Sequence, residues 1–459
     1  ISKATRKFER TLLPRALDVV FDTMSLKQAI ESGLLEFLVA DFRDAFLIIP
    51  NKRSERRYFV VKFGDDYLVF LKTTQGSRGA PLTWARIIAL VMRLTQAVIG
   101  CSSCRISTYV DDPIIAAIGS KELRHTHFAM VLVIWSCMQL PLAMDKAKMG
   151  QTITWTSVTL SPTDDGITVR VKESIVSETL EALVSFLKKN VVPRKILRTV
   201  VGKAMHIASL IPTIRPFLSE MYGALYSGTS ATAGDTVWTK QILHSITWLI
   251  AFLNESEGRL ERHFDLQTFR GEGKDVSICL DASPWGLGGF LVEDRSIISW
   301  FACEISPDDQ SILQISKAES AAQQVVEALV VLVALRAWRH RWKHQRIELR
   351  VKSDSISALV LCLNMKTSGH GTTIIAREMA LDIAHSEYKP NVAQHIPGVD
   401  NIIADMLSRK FAPDFDFTIP DCLLHVPELT LPPRDATYYR TLRHRSPAVS
   451  SKQQRQDGV

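Results

Sequence analysis

The sequence has few cysteines and no paired set of them. Seven are scattered over 459 residues: Cys101, Cys104, Cys137, Cys279, Cys303, Cys362 and Cys422. An odd, dispersed set in a long chain argues against a disulfide framework. It predicts reduced thiols and an intracellular setting, cytoplasmic or nuclear and not secreted. Cys101-Ser-Ser-Cys104 has the spacing of half a zinc knuckle. No second Cys or His pair lies nearby, so a hairpin flank is the better reading. Long apolar runs are also missing. The longest, Phe128 to Met144, is interrupted by Gln139 and Pro141 and is short for a bilayer. It reads as a buried helix, and no membrane partner is expected. No internal repeat is seen, and no stretch reads as a secretory leader, so none is expected. The chain opens on Ile1 without Met, so it is expected to be a piece of a longer product. Neither sign of charge dominates: Lys+Arg 55 against Asp+Glu 48 leaves +7, with a pI near 9.0. That mild excess admits a nucleic-acid partner without requiring one.

What is present is the composition of a globular protein, 46% hydrophobic and 22% charged, long enough for several cores. Residues 34–160 alternate short apolar runs with turns and two long helical patterns, an α+β signature. Residues 172–225 read as helical, with Val176, Leu180, Leu183, Val184 and Leu187 on one face. Tyr226 to Asp235 is small and polar and reads as a linker. Residues 237–270 read as a helical bridge bearing Trp and Leu. A strand pattern restarts at Val276 and a second α/β region runs to about Phe411. The tail, 412–459, is expected to be disordered at its basic end.

Two constellations of carboxylates carry chemistry. Leu34-Leu-Glu-Phe-Leu-Val-Ala40 fits a buried strand and delivers Asp41, then Phe42-Arg43-Asp44-Ala45-Phe46. Arg105-Ile-Ser-Thr-Tyr109-Val110 reads as a second strand, delivering Asp111-Asp112 into a tight turn before Pro113. Adjacent aspartates at a hairpin tip repel each other unless a cation is present, and hard divalent metals take oxygen ligands. A lone Asp-Asp pair is more often a solvated turn. Tyr-Val-Asp-Asp between apolar strands is more specific, and resembles the catalytic motif of reverse transcriptases. Asp41-Phe-Arg-Asp44-Ala45-Phe46, ending in Pro50, resembles the first palm motif of that family. Gln75-Gly76-Ser77-Arg78-Gly79-Ala80-Pro81 resembles its nucleotide-pocket motif, and the three occur in the family's order.

The resemblance implies that Asp41, Asp111 and Asp112 hold two Mg²⁺ ions, Mn²⁺ being the substitute, for two-metal phosphoryl transfer. It implies that Phe46 is a steric gate against a ribose 2′-OH. Gln75, Gly76 and Arg78 would line the nucleotide and template pocket, with Asp44, Ala45 and Tyr109 also binding substrate. Lys146 would be a proton donor to pyrophosphate, an exposed surface lysine being the equal alternative. Leu197 to Lys203 and Arg215-Pro216-Phe217-Leu218 resemble the thumb of long-terminal-repeat and tyrosine-recombinase retroelements, which grips duplex phosphates. Leu12-Leu13-Pro14-Arg15 through Asp18 resembles the segment after the fingers hairpin, which implies that the basic finger residues precede Ile1. Pro113 departs from most retroviruses, though Pro is tolerated at the start of a strand.

The second constellation begins with strand Val276-Ser-Ile-Cys-Leu280 and Asp281, followed by a Gly-rich turn, Trp285-Gly-Leu-Gly-Gly289. A long helix carries Glu327. Strand Ile347 to Val351 precedes Ser353-Asp354-Ser355. Last come His395-Ile-Pro-Gly-Val-Asp400 and Ala404-Asp405-Met-Leu-Ser-Arg409. This order resembles ribonuclease H. It implies that Asp281, Glu327, Asp354 and Asp405 bind two Mg²⁺ for hydrolysis of RNA in RNA–DNA hybrids, and that His395 helps product leave. Glu319 competes for the helix position but suits the helix start, where the macrodipole favours a carboxylate. The basic stretch Leu335 to Arg346 is either a phosphate track or a cation-rich helix end; the second is the better reading.

The expected fold is therefore α+β and multidomain: a right-hand polymerase palm (ferredoxin-like) with a helical thumb, followed by an α/β RNase H-like domain. The expected division is 1–160 partial fingers and palm, 161–235 thumb and linker, 236–274 connection, 275–411 RNase H-like, and 412–459 tail. The resemblance, to the reverse transcriptase and ribonuclease H region of a retroelement Pol polyprotein, covers roughly residues 11–411. It implies RNA template, DNA primer, RNA–DNA hybrid and dNTPs as partners, and allows a homodimer. No aspartic-protease or zinc-binding integrase pattern is present. Two alternatives stay open: a decayed or domesticated copy that only binds nucleic acid, and an enzyme retaining ribonuclease H activity alone.

Overall fold

In the computed structural model, the apolar run after Gly33 is the inner strand of the first sheet. The structure describes residues 13–30, 33–77, 79–227, 235–342, 347–367, 369–386, 390 and 392–442. Arg78, residues 228–234 of the expected linker, the basic residues 343–346 and the tail's end, 443–459, lie outside the described residues. The chain divides into two compact units, Ile1–Lys172 with Arg262–Arg270, and Glu173–Glu261 with Gly271–Val459.

The first unit opens with α1 (Ala16–Ala29), β1 (Leu34–Val39), the hairpin β2 (Val60–Phe63) and β3 (Asp66–Val69), and α2 (Ala80–Ile99). Next come β4 (Cys104–Tyr109), β5 (Asp112–Gly119), α3 (Lys121–Cys137), β6 (Lys148–Gly150), β7 (Ile153–Trp155), β8 (Val158–Thr163) and β9 (Gly166–Val171). Its main sheet has the order β4-β5-β1-β6, all antiparallel. β5 is buried along Pro113–Ile118, as a run of apolar residues in an inner strand demands. α2 and α3 cover one face: Trp84, Ile88, Val91, Phe128, Val131 and Trp135 meet Leu38, Phe42 and Ile115 in one core. Ser120 caps α3, its hydroxyl accepting from Leu123 N–H at 3.3 Å.

The second unit opens with α4 (Glu173–Leu187), β10 (Val191–Pro193), α5 (Arg194–Leu210), α6 (Ser219–Tyr226), β11 (Thr236–Trp238) and α7 (Thr239–Leu253). The buried stripe of α4 is Val176, Thr179, Leu183 and Phe186; Leu180, Val184 and Leu187 are half-buried. The chain then returns to the first unit as β12 (Glu261–Asp265) and α8 (Leu266–Phe269), β12 pairing with β9 in the sheet β12-β9-β8-β7. The expected helical bridge is thus interrupted: α7 ends at Leu253, β12 intervenes, and only the short α8 is helical again. After Asn254 the chain turns at Glu255 and Gly258, both at positive φ. β12 approaches β9 so closely at Gly166 that any side chain there would overlap the Phe264 carbonyl.

A five-stranded sheet completes the second unit. It comprises β13 (Lys274–Ala282), β14 (Gly286–Glu293), β15 (Ser296–Glu304), and, after α9 (Pro307–Leu313), α10 (Gln323–Ala337) and α11 (Arg339–Trp342), strand β16 (Ile347–Ser353). Helices α12 (Ile356–Asn364) and α13 (His370–Ala384), strand β17 (Val392–His395) and helix α14 (Ile402–Arg409) follow. The order is β15-β14-β13-β16-β17; the first three strands are antiparallel, and β13, β16 and β17 are parallel. The glycines at 286, 288 and 289 are not a turn. They lie within β14, and Gly286 and Gly288 face the backbone of α14.

Two other expectations need correction. The run Phe128 to Met144 is helical only to Cys137, because Gln139 takes a positive φ and Pro141 cannot continue the helix. Two helical stretches, Ala80–Ile99 and Ser320–Ala337, are long and apolar enough to cross a membrane by length and composition, although none was expected. In the structure α10 is a core helix, buried from Ala328 to Leu335. The tail's basic end, expected to be disordered, lies outside the described residues, and in the segment before it Leu423, Arg434, Tyr439 and Thr441 are buried. That segment runs along β15, where Trp300 N–H donates to Pro427 O at 3.3 Å and Leu429 N–H to Trp300 O at 2.7 Å. In the basic stretch, Trp338 and Trp342 are buried and Arg336 is ion-paired with Glu378 and Asp382, as a helix end packed on its own domain requires. All seven thiols are free.

Candidate active sites

β1 ends at Val39, and Asp41 follows just beyond it. Phe42 is buried, its ring 5.7 Å from Trp84 and 5.1 Å from Trp135, so the backbone after Asp41 is anchored in the core. Phe42 N–H donates to Asp111 O at 2.8 Å, which sets Asp41 beside the tip of the β4–β5 hairpin. That tip is Val110-Asp111, with Tyr109 opposite Asp112. Val110 has φ +59°, an unfavourable conformation for a β-branched residue. Two indoles hold the tip: Trp84 Nε1–H donates to Val110 O at 2.6 Å and Trp155 Nε1–H to Asp112 O at 3.0 Å. Such strain persists only where surrounding contacts over-determine it, and it clusters at functional sites.

Lys146 Nζ binds Asp41 Oδ2, and this contact raises the lysine pKa. The pKa of Asp111 is raised mainly by burial, with repulsion from Asp41 adding to it. That of Asp112 is raised by burial, then by Asp111 and Asp41. The three carboxylates and Lys146 therefore share one electrostatic neighbourhood. Phe46 is half-buried against the core cluster and Ala45 is buried, while Asp44 is exposed at φ +54°. Tyr109 meets Trp155 edge-on at 6.4 Å. Gln75 and Gly76 form an exposed turn before α2, with Gly76 at φ +87°.

The second site sits at one end of the parallel strands of the other sheet. In register, Cys279 pairs with Lys352 and Ser353 with His395. Asp281 and Asp354, each two residues beyond a paired position, thus emerge side by side, with exposed His395 next along. Asp281 is 9% exposed. Burial pushes its carboxyl up to about 6; Asp354 and Asp405 add to the rise, while a hydrogen bond from Ser408 opposes it. Ser408 Oγ–H donates to Asp281 Oδ2 at 2.7 Å, and Asp405 pairs with Arg409 at 2.7 Å. Glu327 accepts from Ser355 Oγ and from Gln323 Nε2 (3.2 Å), and Gln323 Nε2 also donates to Ala282 O at 2.7 Å. These bonds tie Glu327 to the neighbours of both Asp281 and Asp354. Glu319 instead lies exposed at the start of a 3₁₀ turn. The loop after His395 passes close to Asp354: a Cβ on Gly398 would be 3.4 Å from Oδ2.

α14 reaches this site because β14 is bare beneath it. A Cβ at Gly288 would overlap the Ser408 backbone nitrogen, and one at Gly286 would be 2.8 Å from Ser408 O. Gly288→Ala is therefore expected to lower stability by about 1–3 kcal/mol through overpacking, seen as a lower unfolding midpoint. Gly202→Ala in α5, where a Cβ meets nothing within 4 Å, is expected to be neutral or stabilising by about 0.5–1 kcal/mol. Equal midpoints for the two variants would remove the docking account. The contacts of Ser408, Ser355, Gln323, Trp84 and Trp155 were not assigned from sequence. Serines flanking Asp354 and three residues after Asp405 were the only available signal.

Among the described residues, no group of three or more His, Cys, Asp or Glu side chains is set to hold a metal ion. Both donor sets nevertheless consist of hard carboxylate oxygens, and repulsion within each is what a cation would relieve.

No family model matches the sequence, and neither does any curated protein. Among solved structures, the chain is similar to the foamy viral protease-reverse transcriptase dRH in complex with double-stranded DNA. Identity is 12% and the TM-score 0.44, over 86% of this chain and 61% of that one. The foamy viral protease-reverse transcriptase in complex with an RNA/DNA hybrid is similar at 13% identity and TM-score 0.39, over 84% and 46%. This chain thus spans about three fifths of the first of these structures and under half of the second.

Proposed function

We propose that the protein is an RNA-directed DNA polymerase with ribonuclease H activity, from a retroelement Pol polyprotein. The observation that carries the reading is the presence of two separate carboxylate clusters. Each is gathered from residues far apart in sequence: the first at strand ends, the second joining the strand-end Asp281 and Asp354 to Glu327 of α10 and Asp405 of α14. In each, at least one carboxyl is pushed upward by burial and by its neighbours. Perturbed, converging carboxylates of this kind mark catalytic sites more often than structural ones.

In the first site, Asp41, Asp111 and Asp112 would hold Mg²⁺. In the second, Asp281, Glu327, Asp354 and Asp405 would do so. When bound, such ions supply positive charge to the attacking and leaving oxygens of an in-line displacement. The chain's own residues orient and select. The two indoles hold Asp111 and Asp112 at the hairpin tip. Phe46, adjacent to Ala45 after the site strand, would stand against a ribose 2′-OH. Asp44, Gln75, Gly76, Arg78 and Tyr109 would contact nucleotide or template, and Lys146 would give a proton to pyrophosphate. In the second site, Ser408 orients Asp281, Ser355 and Gln323 orient Glu327, and His395 stands exposed where product would depart. The helices α4–α6 would grip the template–primer duplex. A sheet of order β15-β14-β13-β16-β17, with carboxylates at one end of its parallel strands, supports the nuclease half of the reading.

The test is primer extension on an end-labelled RNA template with Mg²⁺, comparing wild type, Asp111→Asn and Asp354→Asn. Wild type is expected to extend the primer and cut the template within the hybrid. Asp111→Asn should lose extension by at least roughly 10³-fold while keeping cleavage, and Asp354→Asn the reverse. Cleavage without extension in wild type would leave a ribonuclease alone. Duplex binding with neither activity would leave a binding protein.

A further inference from the structure

The cation just past α14 lies in a cage. Lys410 Nζ is 5.4 Å from the centre of the Trp300 ring, 5.4 Å from Phe417 and 5.8 Å from Phe411. It also pairs with Glu428 Oε1 at 3.0 Å, and the lysine side chain is 27% exposed. A significant cation–π contact arises about once in 70–80 residues; here one ammonium faces three rings and a carboxylate. The walls come from separate places. Trp300 is on β15, Phe411 adjoins Lys410, and Phe417 and Glu428 belong to the segment 412–442. That segment is itself fixed, because Trp300 Nε1–H donates to Val426 O at 3.0 Å and Leu423 packs with Leu407 and Trp300.

α14 has reason to need such a fastening. It has eight residues, too few for a helix to persist by its own hydrogen bonds. Asp405 is paired with Arg409 of the same helix, so that ion pair cannot fix α14 against the sheet. The contacts that can do so include its backbone against Gly286 and Gly288, Asn401 Nδ2–H on Leu280 O at 2.9 Å, Leu407 in its small core, and Ser408 on Asp281 and Ser283; the Lys410 ammonium adds a hold at the helix C-terminus, where the dipole also favours a cation.

We propose that Lys410 is a positioning residue of the nuclease site: through its caged ammonium, the segment 412–442 holds α14, and with it Asp405 and Ser408, in place. The catalytic consequence rests on the ribonuclease reading above; the fastening itself does not. The test uses the full chain. Lys410→Met keeps most of the apolar stem and removes the charge, whereas Lys410→Arg keeps a cation for the rings and for Glu428. The first readout is hydrogen exchange without metal. Amides of 402–409 should exchange roughly tenfold faster in Lys410→Met, those of β16 should not change, and Lys410→Arg should match wild type. The second is hybrid hydrolysis against Mg²⁺ concentration. Lys410→Met should need roughly tenfold more Mg²⁺ at half-maximal rate, with KM for the hybrid unchanged, and Lys410→Arg should restore it. Lys317→Met, which breaks the ion pair with Glu304 elsewhere on the same fold, should move neither readout. Unchanged exchange over 402–409, or equal losses in the Met and Arg variants, would overturn the proposal. Faster exchange in Lys410→Met, in a chain whose wild type cuts no hybrid at any Mg²⁺ concentration, would overturn the catalytic role along with the ribonuclease reading and leave a purely structural pin.

Discussion

A chain ending at Phe411 is expected to lose the cooperative unfolding transition of its second unit. The residues removed hold buried charges that the sheet and helices cannot satisfy alone. Asp309 is fully buried, and its partners include Arg434 (2.7 Å) and the Tyr439 hydroxyl (2.6 Å), both in the removed segment. Arg434 also donates to Glu304 O at 2.7 Å. Glu378, likewise buried, accepts from Thr441 N–H at 2.6 Å, and Arg440 binds Asp382. Removing one partner of a buried pair costs about 3–5 kcal/mol, against a total of about 5–15 kcal/mol for a typical domain. Glu378 and Asp382 keep Arg336 as a partner, but the loss at Asp309, the lost bonds from Thr441 and Arg440 and the exposure of Leu407 and Trp300 together approach that total. Denaturant titration followed by tryptophan fluorescence would show this, and Arg434→Met alone should lower the midpoint measurably. A truncated chain with the full chain's midpoint would sink the account.

Replacing Asp281 by Asn is expected to abolish hybrid hydrolysis and, in metal-free buffer at neutral pH, to stabilise the fold. The sign follows from the direction of the shift. The carboxyl rises from 3.8 when exposed to about 6 when buried. Between those values the folded protein keeps a proton that the unfolded chain has released. Stability owed to this group is therefore complete below about pH 4 and is lost as pH rises through about 6. The rise from 3.8 to about 6 corresponds to roughly 3 kcal/mol at pH 7. Asn keeps the shape and an oxygen for the Ser408 hydroxyl without the charge. Thermal unfolding at pH 7.5 and 4.5 checks it: Asp281→Asn should exceed wild type at the higher pH and match it at the lower. Added Mg²⁺ should narrow the gap by stabilising wild type. If the variant were no more stable at pH 7.5, burial of an unrelieved charge would not be the cause of the shift. Such instability is the usual accompaniment of a site built to receive a ligand.

Much of the fold could be read from local pattern. Leu34–Val39, Cys104–Tyr109, Lys274–Ala282 and Ile347–Ser353 are strands because each is an apolar or alternating run, and each leads to a carboxylate. α10 follows from the apolar run beyond Glu327, and α3 in part from the apolar run that begins at Phe128. These depend on near neighbours, which the order of residues contains.

What the order of residues left undecided depends on partners distant along the chain. Gly286 and Gly288 read as a turn, yet they are strand residues, because only α14, more than a hundred positions later, needs their bare surface. Nothing in the order of residues assigned a role to 412–442, yet Arg434 and Tyr439 there close on buried Asp309, more than a hundred positions earlier. Glu327 and Glu319 both fit a helix carboxylate by spacing; the bonds to Ser355 and Gln323 distinguish them, and those exist only once α10 lies against β13 and β16. The sequence by itself determined which residues bear charge at strand ends. Tertiary structure decided which of those charges share a neighbourhood, because burial and repulsion act through space and not along the chain.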